Sequence, residues 1–552
     1  MDNLCSMCRR IFDGTSEEMS ADCKRPDTPF TFLVTAKLYC HHNCIEDLIS
    51  ASDQGCQLCH YIWSKFSTTD REMIQARKLG GFEFEDISKR SQKGHPFPNH
   101  SGILFAGTNL GTMRTIWERN WGIQFRHGFY FVFTSLKFGN DVQVVSFSSI
   151  SSQIQNLSPG TGSTEALQLA KSWVTACCTN HHFCQPRQGS QQYDVKLPTR
   201  LIYVPPSEKQ PLKLCDTSIL PLNTRYMTLS HSCGNNKFTT LTSHNLRAFL
   251  DEIPVVELTV TFRQADDVTR FMDVQYLRID SLCIIQDSNE DWQNESVLMG
   301  SVYSNSYCNI AAAYASSSEE GLFSADNFRA YIPLRIEVKS NNPWYMHEGV
   351  YGSTEQQILQ ESVEESPLLE RGWVFQERVL VPRVLYFASQ QIFFECGQTF
   401  NGELPPKHLK PLSLQNIWSD RFHIPLKGAV HAMIQKIRDK RRSVGALRRD
   451  SMHLEEGGAV ELWKFLVKKF TSCKLTYQSD RLIAISALAY LIQPLMEGSY
   501  VAGLWEESLI PQLLWRAGTT QPKPNSEEYI APSWSWASKP GEYLLYRPHH
   551  RP

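Results

Sequence analysis

At 552 residues the chain is too long for one simple domain, and two or three folded units are expected. Hydrophobic residues at 41% and charged residues at 20% describe an ordinary soluble globular protein, and a net charge of -2 gives no electrostatic reason to expect nucleic acid or an anionic membrane as a partner. The opening Met-Asp-Asn-Leu-Cys is polar and lacks the pattern of a secretory signal. The longest apolar run, residues 482–496, is broken by Ser486, Gln493 and Pro494 and is short of the ~20 residues a membrane span needs. A cytoplasmic location is therefore expected, with the 16 cysteines acting as thiols or metal ligands rather than disulfides.

Cysteine is concentrated in the first sixty residues, as Cys5-x-x-Cys8, Cys23, Cys40, Cys44 and Cys56-x-x-Cys59, with His41, His42 and His60 alongside. Two Cys-x-x-Cys pairs each bring two thiolates to one side of an ion, so Cys5, Cys8, Cys56 and Cys59 are candidate ligands of a structural zinc. Cys40 or His41 could replace one of the four, and a small helical cap of buried thiols is the alternative. Residues 1–65 are thus expected to form a Cys-rich cap.

Residues 66–195 form a mixed region. Short alternating segments at 82–85, 128–134 and 142–147 predict strands of a small antiparallel sheet, and 148–164, rich in Ser, Gln, Gly and Thr, predicts an exposed linker. A helix is expected over 165–178. His181, His182 and Cys184 follow it, in a spacing that fits no strong metal template, so a packed turn is expected there.

The core is expected over 196–400. Strands are predicted at 197–204 and 226–234, helices at 240–250 and 261–272, then a buried strand at 276–285. Gln286-Asp287-Ser288-Asn289 is turn chemistry, and Ser288 three residues before Asp291 resembles a capping box opening a helix over 290–303. Trp292, Met299, Val302 and Tyr303 share one face of that helix, with Glu295 in the middle of the stripe. A further strand is expected at 309–315. Such alternation predicts an open parallel sheet, whose ligands bind beyond the carboxyl ends of the strands. Ser230, His231, Asp280 and Ser281 fall at or near those ends.

Residues 366–396 mix Arg371, Glu377, Arg378 and Arg383 with Trp373, Phe375, Phe387, Phe393 and Phe394, which requires that the charges be paired. Arg371, Glu377 and Arg378 are the structural ion-pair candidates, with Arg378 or Arg371 the expected partner of Glu295. Residues 401–552 form the last region. There the basic run at 435–449 predicts a solvated helix face, 480–495 a helix, and Ser533-Trp534-Ser535-Trp536 a strand packed on the core.

Taken in order, the amino-terminal Cys-x-x-Cys pairs, LPTRLIYV, YMTLSHSCG, YLRIDSLCIIQDSNEDWQNESVLMGSVYSN, GLF, RGWVFQERVLVPRVLYF, LTYQSDRLIAISALA, VAGLW and APSWSWAS resemble the heterokaryon-incompatibility (HET) domain proteins of filamentous fungi. The resemblance covers most of the chain. It implies a role in non-self recognition that triggers programmed cell death, through an incompatibility partner protein or self-association. It also implies an α/β fold whose central sheet is similar to that of Toll/interleukin receptor (TIR) domains. Family members usually carry Trp where Cys233, Arg278 and Phe394 stand here.

Some TIR domains cleave NAD with a glutamate shortly after a Trp, and Asp291-Trp292-Gln293-Asn294-Glu295 resembles that arrangement. Under this expectation NAD is the candidate substrate, Glu295 is catalytic, and Ser230, His231, Asp280, Ser281 and Trp292 bind the substrate. The carboxylate would stabilise an oxocarbenium-like transition state. The rival expectation is a non-enzymatic signalling module in which Glu295 is a structural ion-pair partner. A Cys-His nucleophile built from Cys233 or Cys283 with His231 is the third, opposed for Cys283 by its place in an apolar run.

Overall fold

The computed structural model describes residues 5–7, 38–42, 45–56, 59, 103–106, 130–132, 142–149, 160–181, 184, 196–207, 209–234, 237–324, 334–340, 349–351, 360–389, 391–403, 426–443, 458–518 and 529–545. They divide into two compact units, Met1–Leu157 with Asn327–Ile358, and Ser158–Asp326 with Leu359–Pro552.

The described residues of the first unit form two three-stranded sheets. In one, Leu38–His42 runs antiparallel to Ile103–Ala106, which is parallel to Tyr130–Val132. In the other, Leu334–Ser340 lies between Val142–Ser149 and Gly349–Tyr351, antiparallel to both. The expected segments at 128–134 and 142–147 do contain strands, but these belong to different sheets. Alternation marks a strand without naming its partner, and the partner of Val142–Ser149 comes from far along the chain. The expected segment at 82–85 lies outside the described residues.

The second unit is built on one eight-stranded sheet. Its strands are β1 (Arg200–Tyr203), β2 (Lys213–Asp216), β3 (Met227–Ser230), β4 (Tyr276–Arg278), β5 (Cys308–Ala312), β6 (Arg383–Phe387), β7 (Ile392–Cys396) and β8 (Phe400–Gly402). Their spatial order is β8-β7-β6-β5-β3-β4-β1-β2. The four central strands β6, β5, β3 and β4 are mutually parallel, and an antiparallel pair extends each side. The fold is therefore mixed α/β, with a parallel core and flanking helices. Among the parallel strands the second in sequence lies beside the first, and the third on the first's other side, so the topological switch point falls between β3 and β5.

The principal helices are α1 (Thr164–Asn180), α2 (Val260–Phe271), α3 (Asn289–Ser304), α4 (Gly372–Leu380), α5 (Leu426–Ser443), α6 (Ala459–Thr471) and α7 (Ile483–Ile492). Their starts are set by local chemistry. The side chains of Ser163, Thr259 and Ser288 accept from the backbone N–H of Ala166, Phe262 and Asp291, satisfying donors that a helix leaves free. As expected, Ser288 opens α3, and Glu295, Met299, Val302 and Tyr303 are buried along it, whereas Trp292 stays 36% exposed.

The strand expected over 276–285 is shorter. It ends at Arg278, and Asp280–Cys283 turns into a single helical turn that buries Leu282 and Cys283. An apolar run does not distinguish a buried strand from a buried turn. Here Ser281 and Gln286 bond to the backbone of Leu241 instead of to a neighbouring strand. The expected Ser-Trp strand near the carboxyl end is a 3-10 turn, Trp536–Ser538. Trp536 is buried but Trp534 is 39% exposed. Trp463 and Trp536 both donate their indole N–H to the carbonyl of Gly503, a tie that fixes the tail on α6.

The sheet has two unlike faces. On one, Met227, Leu229, Leu277, Ile310, Leu385, Phe387 and Phe394 join residues of α1 and α2, including Ala166, Val174, Phe262 and Ala265, in one apolar core. On the other, Thr228, Ser230, Arg278, Asn309 and Glu395 are buried, and their hydrogen bonds link the strands to α3 and α4.

Candidate functional site

The polar face converges at the carboxyl ends of the parallel strands. Thr228 donates to Asn309 Oδ1 at 2.8 Å, and Asn309 Nδ2 donates to Ser230 Oγ at 3.0 Å. Ser230, the last residue of β3, donates to Glu377 Oε2 on α4. Tyr303 of α3 lies between two carboxyls, donating to Asp280 Oδ2 at 3.1 Å and within hydrogen-bond reach of Glu377. Asp280 Oδ1 in turn accepts from Arg278 Nε at 2.9 Å.

Arg278 continues the network to Glu295, with Nη2 2.9 Å from Oε2. A second guanidinium, Arg200 of β1, stands 3.6 Å from Glu295 Oε1 and is itself held by both oxygens of Asp291. Glu295 is 1% exposed. Burial works to lower the pKa of Arg278, and the carboxylates of Asp280 and Glu295 overcome that and hold it charged. The need for a carboxylate near this arginine is met twice over.

The expected partners of Glu295 are different residues. Arg378 pairs with Glu364 at 2.6 Å and with Glu395 at 2.9 Å, and Arg371 donates to the backbone carbonyl of His231. Helical geometry explains the first. Arg378 follows Glu377 directly, so the two side chains leave α4 in different directions. Glu377 faces Ser230 while Arg378 faces β7.

Burial, followed by the nearby Asp280, pushes the Glu377 carboxyl up to about 7. His231 lies just beyond β3 with its ring edge-on to Phe262, 5.0 Å between centroids, and burial followed by Arg371 pushes it down to about 3. Its imidazole is neutral at physiological pH. Cys233 Sγ is 3.8 Å from His231 Nε2, and burial pushes the Cys283 thiol up to about 11, leaving that sulfur protonated. Ser281 Oγ, also expected at the site, is buried without a hydrogen-bond partner among the described residues. Trp292 stands at the exposed edge of α3.

The structure thus brings Ser230, Asp280, Glu295 and Glu377 into one network. Its other members, Arg200, Thr228, Arg278, Asp291, Tyr303 and Asn309, were not anticipated as site residues. Arg200 offered a signal, as a guanidinium inside an otherwise apolar strand segment. Two open clefts lie elsewhere. One of about 740 Å³ is lined by Lys171, Thr175, Phe271 and Asp273, and one of about 670 Å³ by Pro221, Arg225, Arg270 and Tyr276, at the amino end of β4.

Among the described residues two Cys/His groups could hold a metal ion: Cys5, Cys56 and Cys59 in the first unit, and Cys177, His181, Cys184 and Cys396 in the second. Cys8, the fourth expected ligand of the first group, lies outside the described residues. The packed turn expected around His181–Cys184 is a corner of the second group, for which Cys177 and Cys396 were missed. Among the described residues no helix is long and apolar enough to cross a membrane.

Residues 226–377 match the family model described as Heterokaryon incompatibility protein (HET), so the chain carries a HET domain there. The match opens on the residue before β3 and closes on Glu377, enclosing the network from Ser230 to Arg278 and Glu295. None of the curated proteins matched the chain, and none of the solved structures did.

Proposed function

We propose that this chain, with its HET domain at residues 226–377, acts in heterokaryon incompatibility as an effector of non-self recognition that triggers cell death through protein contacts, with a partner protein or a second copy of itself. The family match supports the role. The contact mechanism is supported by the setting of Glu295, which is enclosed at 1% exposure between Arg278 and Arg200, where a carboxylate acts as a scaffold. On this reading Glu295, Arg278, Asp280 and Arg200 shape the domain, and Cys5, Cys56 and Cys59 hold a structural zinc with Cys8.

A second reading, NAD glycohydrolysis, draws on a different carboxyl. Glu377 titrates near 7 and is bonded to Ser230 beside the switch point, where open α/β sheets bind ligands. There a carboxyl poised between its two forms could orient a ribose or meet a developing oxocarbenium charge. Ser230, His231, Asp280, Ser281 and Trp292 would line the approach, with Glu295 behind them.

Expression in yeast separates the readings. Wild type, Glu295→Gln and Glu377→Gln are compared for growth, NAD content and soluble protein. Death with NAD unchanged is the expected outcome. A fall in NAD that Glu377→Gln or Glu295→Gln abolishes, in a chain that stays soluble, would overturn the contact mechanism in favour of the enzyme.

A further inference from the structure

The metal-ligand search outside the network leads to the corner where α1 meets β7. Cys177 lies in the last turn of α1, and His181, which caps that helix, donates its backbone N–H to the Cys177 carbonyl at 3.1 Å. Residues four apart on a helix share a face, so the thiol and the imidazole project together. Cys184 follows, its N–H bonded to the His181 carbonyl at 3.1 Å. Cys396, the last residue of β7, brings its sulfur to 3.3 Å from His181 Nδ1 across 215 residues of sequence.

All four ligand atoms lie within 4.8 Å of one another, and Cys177, Cys184 and Cys396 are buried. A tetrahedral zinc with bonds of about 2.0–2.3 Å needs ligand-to-ligand edges of about 3.3–3.8 Å, so a small contraction would close the shell. We infer that Cys177, His181, Cys184 and Cys396 form a structural zinc site that ties α1 to the end of the central sheet.

The surroundings carry the inference beyond a ligand count. Cys396 sits in a turn closed by its own N–H on the Thr399 carbonyl at 2.9 Å. The N–H groups of Gln398 and Thr399 point at its sulfur, at 3.5 and 3.3 Å. Such donors stabilise a thiolate and aim it, as outer partners do around metals. Three thiolates and one neutral imidazole around a divalent ion leave one negative charge. Arg383 answers it. This buried guanidinium donates to the Cys184 carbonyl at 2.9 Å and to the Tyr307 carbonyl at 3.0 Å, and its Nε has no hydrogen-bond partner among the described residues. Soft sulfur ligands with one imidazole select zinc over harder ions, and four protein ligands leave no open position for catalysis.

The site also enlarges the domain. Cys177, His181 and Cys184 precede residues 226–377, and Cys396 follows them, so one ion fastens both flanks of the HET match. Trp173 of α1 against Phe394 of β7, with ring centroids 6.3 Å apart, continues the same seam.

The test uses the full-length chain, purified without chelator, with metal content and cysteine alkylation read on the same sample. Zinc is expected, with Cys177, Cys184 and Cys396 closed to iodoacetamide until the metal is stripped, whereupon all three react. Cys396→Ser should lose one zinc per chain while Cys59→Ser leaves that one in place. His181→Cys preserves four ligands, so it should keep the ion and alter the visible spectrum of the cobalt-loaded protein. A folded wild-type chain without bound metal overturns the inference. So does metal whose removal changes the reactivity of Cys5, Cys56 and Cys59 alone. Both results come from the wild-type chain and hold even where a substitution prevents folding.

Discussion

The two faces of the central sheet are buried to the same degree and made of opposite materials. Along β3, Met227 and Leu229 enter the apolar core under α1 and α2, while Thr228 and Ser230 join the polar network under α3 and α4. All four are buried. The apolar face needs only fitting volume, and hydrophobic exchanges of similar size are tolerated in such places. The polar face needs every partner, because a buried charge that loses its counter-charge retains the desolvation cost without the attraction. Polar groups held there at that cost, at the strand ends where ligands or partners approach, are the reason to look on that side for what the domain does.

The largest effect is expected where the polar face carries most charge. Glu295→Ala leaves Arg278 facing Asp280 alone and should cost about 3–5 kcal/mol of stability, read by urea unfolding. Replacing both Arg278 and Glu295 with Met should recover most of that loss, since it removes the two charges together. Equal stability of Glu295→Ala and wild type would mean that the guanidinium is satisfied without it.

On the other face Leu385→Ala opens a void in a fully buried site and should cost about 3 kcal/mol, whereas Leu385→Met should cost under about 1.5 kcal/mol. Asn309 gives the matched test on the polar side. It accepts from Thr228 and donates to Ser230, so Asn309→Ala strands the Thr228 hydroxyl, leaves Ser230 with Glu377 alone, and should cost about 1–3 kcal/mol despite the small volume removed. If Leu385→Met and Asn309→Ala cost the same, the contrast between the faces fails.

How far the sequence reached follows the same divide. The helix from Ser288 could be recognised because its cap, turn residues and apolar spacing are local. The parallel core followed from the alternation of strands and helices. Glu295 stood out as a carboxylate in an apolar stripe, but its partners did not, since Arg278 and Arg200 reach it through the fold. The Cys3His corner was hidden for the same reason. Cys396 is separated from His181 by 215 residues, and no spacing template spans that distance. The end of β4 at Arg278 was missed because an apolar run is silent about whether it stays extended.

The smallest expected effect is a slope against pH. Glu377 has an ordinary carboxyl pKa near 4.5 when unfolded and about 7 in the fold, so the folded chain holds a proton that the unfolded chain has released. Stability from this group is full at acid pH, falls as pH rises from about 4.5 to about 7, and is level above that, with a loss of roughly 1 kcal/mol between about pH 6 and about pH 7. His231 acts in the opposite sense. Its folded pKa of about 3 lies below the ordinary 6.5, so the unfolded chain gains a proton first and stability rises with pH over that window. The two partly cancel in the wild type, which is why the informative quantity is the difference between chains. Glu377→Gln cannot ionise and keeps a group able to accept from Ser230, so its stability should climb more steeply than wild type between about pH 6 and about pH 7, by roughly 1 kcal/mol. Parallel curves for the two chains would mean that Glu377 titrates in its ordinary range, and the poised carboxyl on which the enzymatic reading depends would be lost with it.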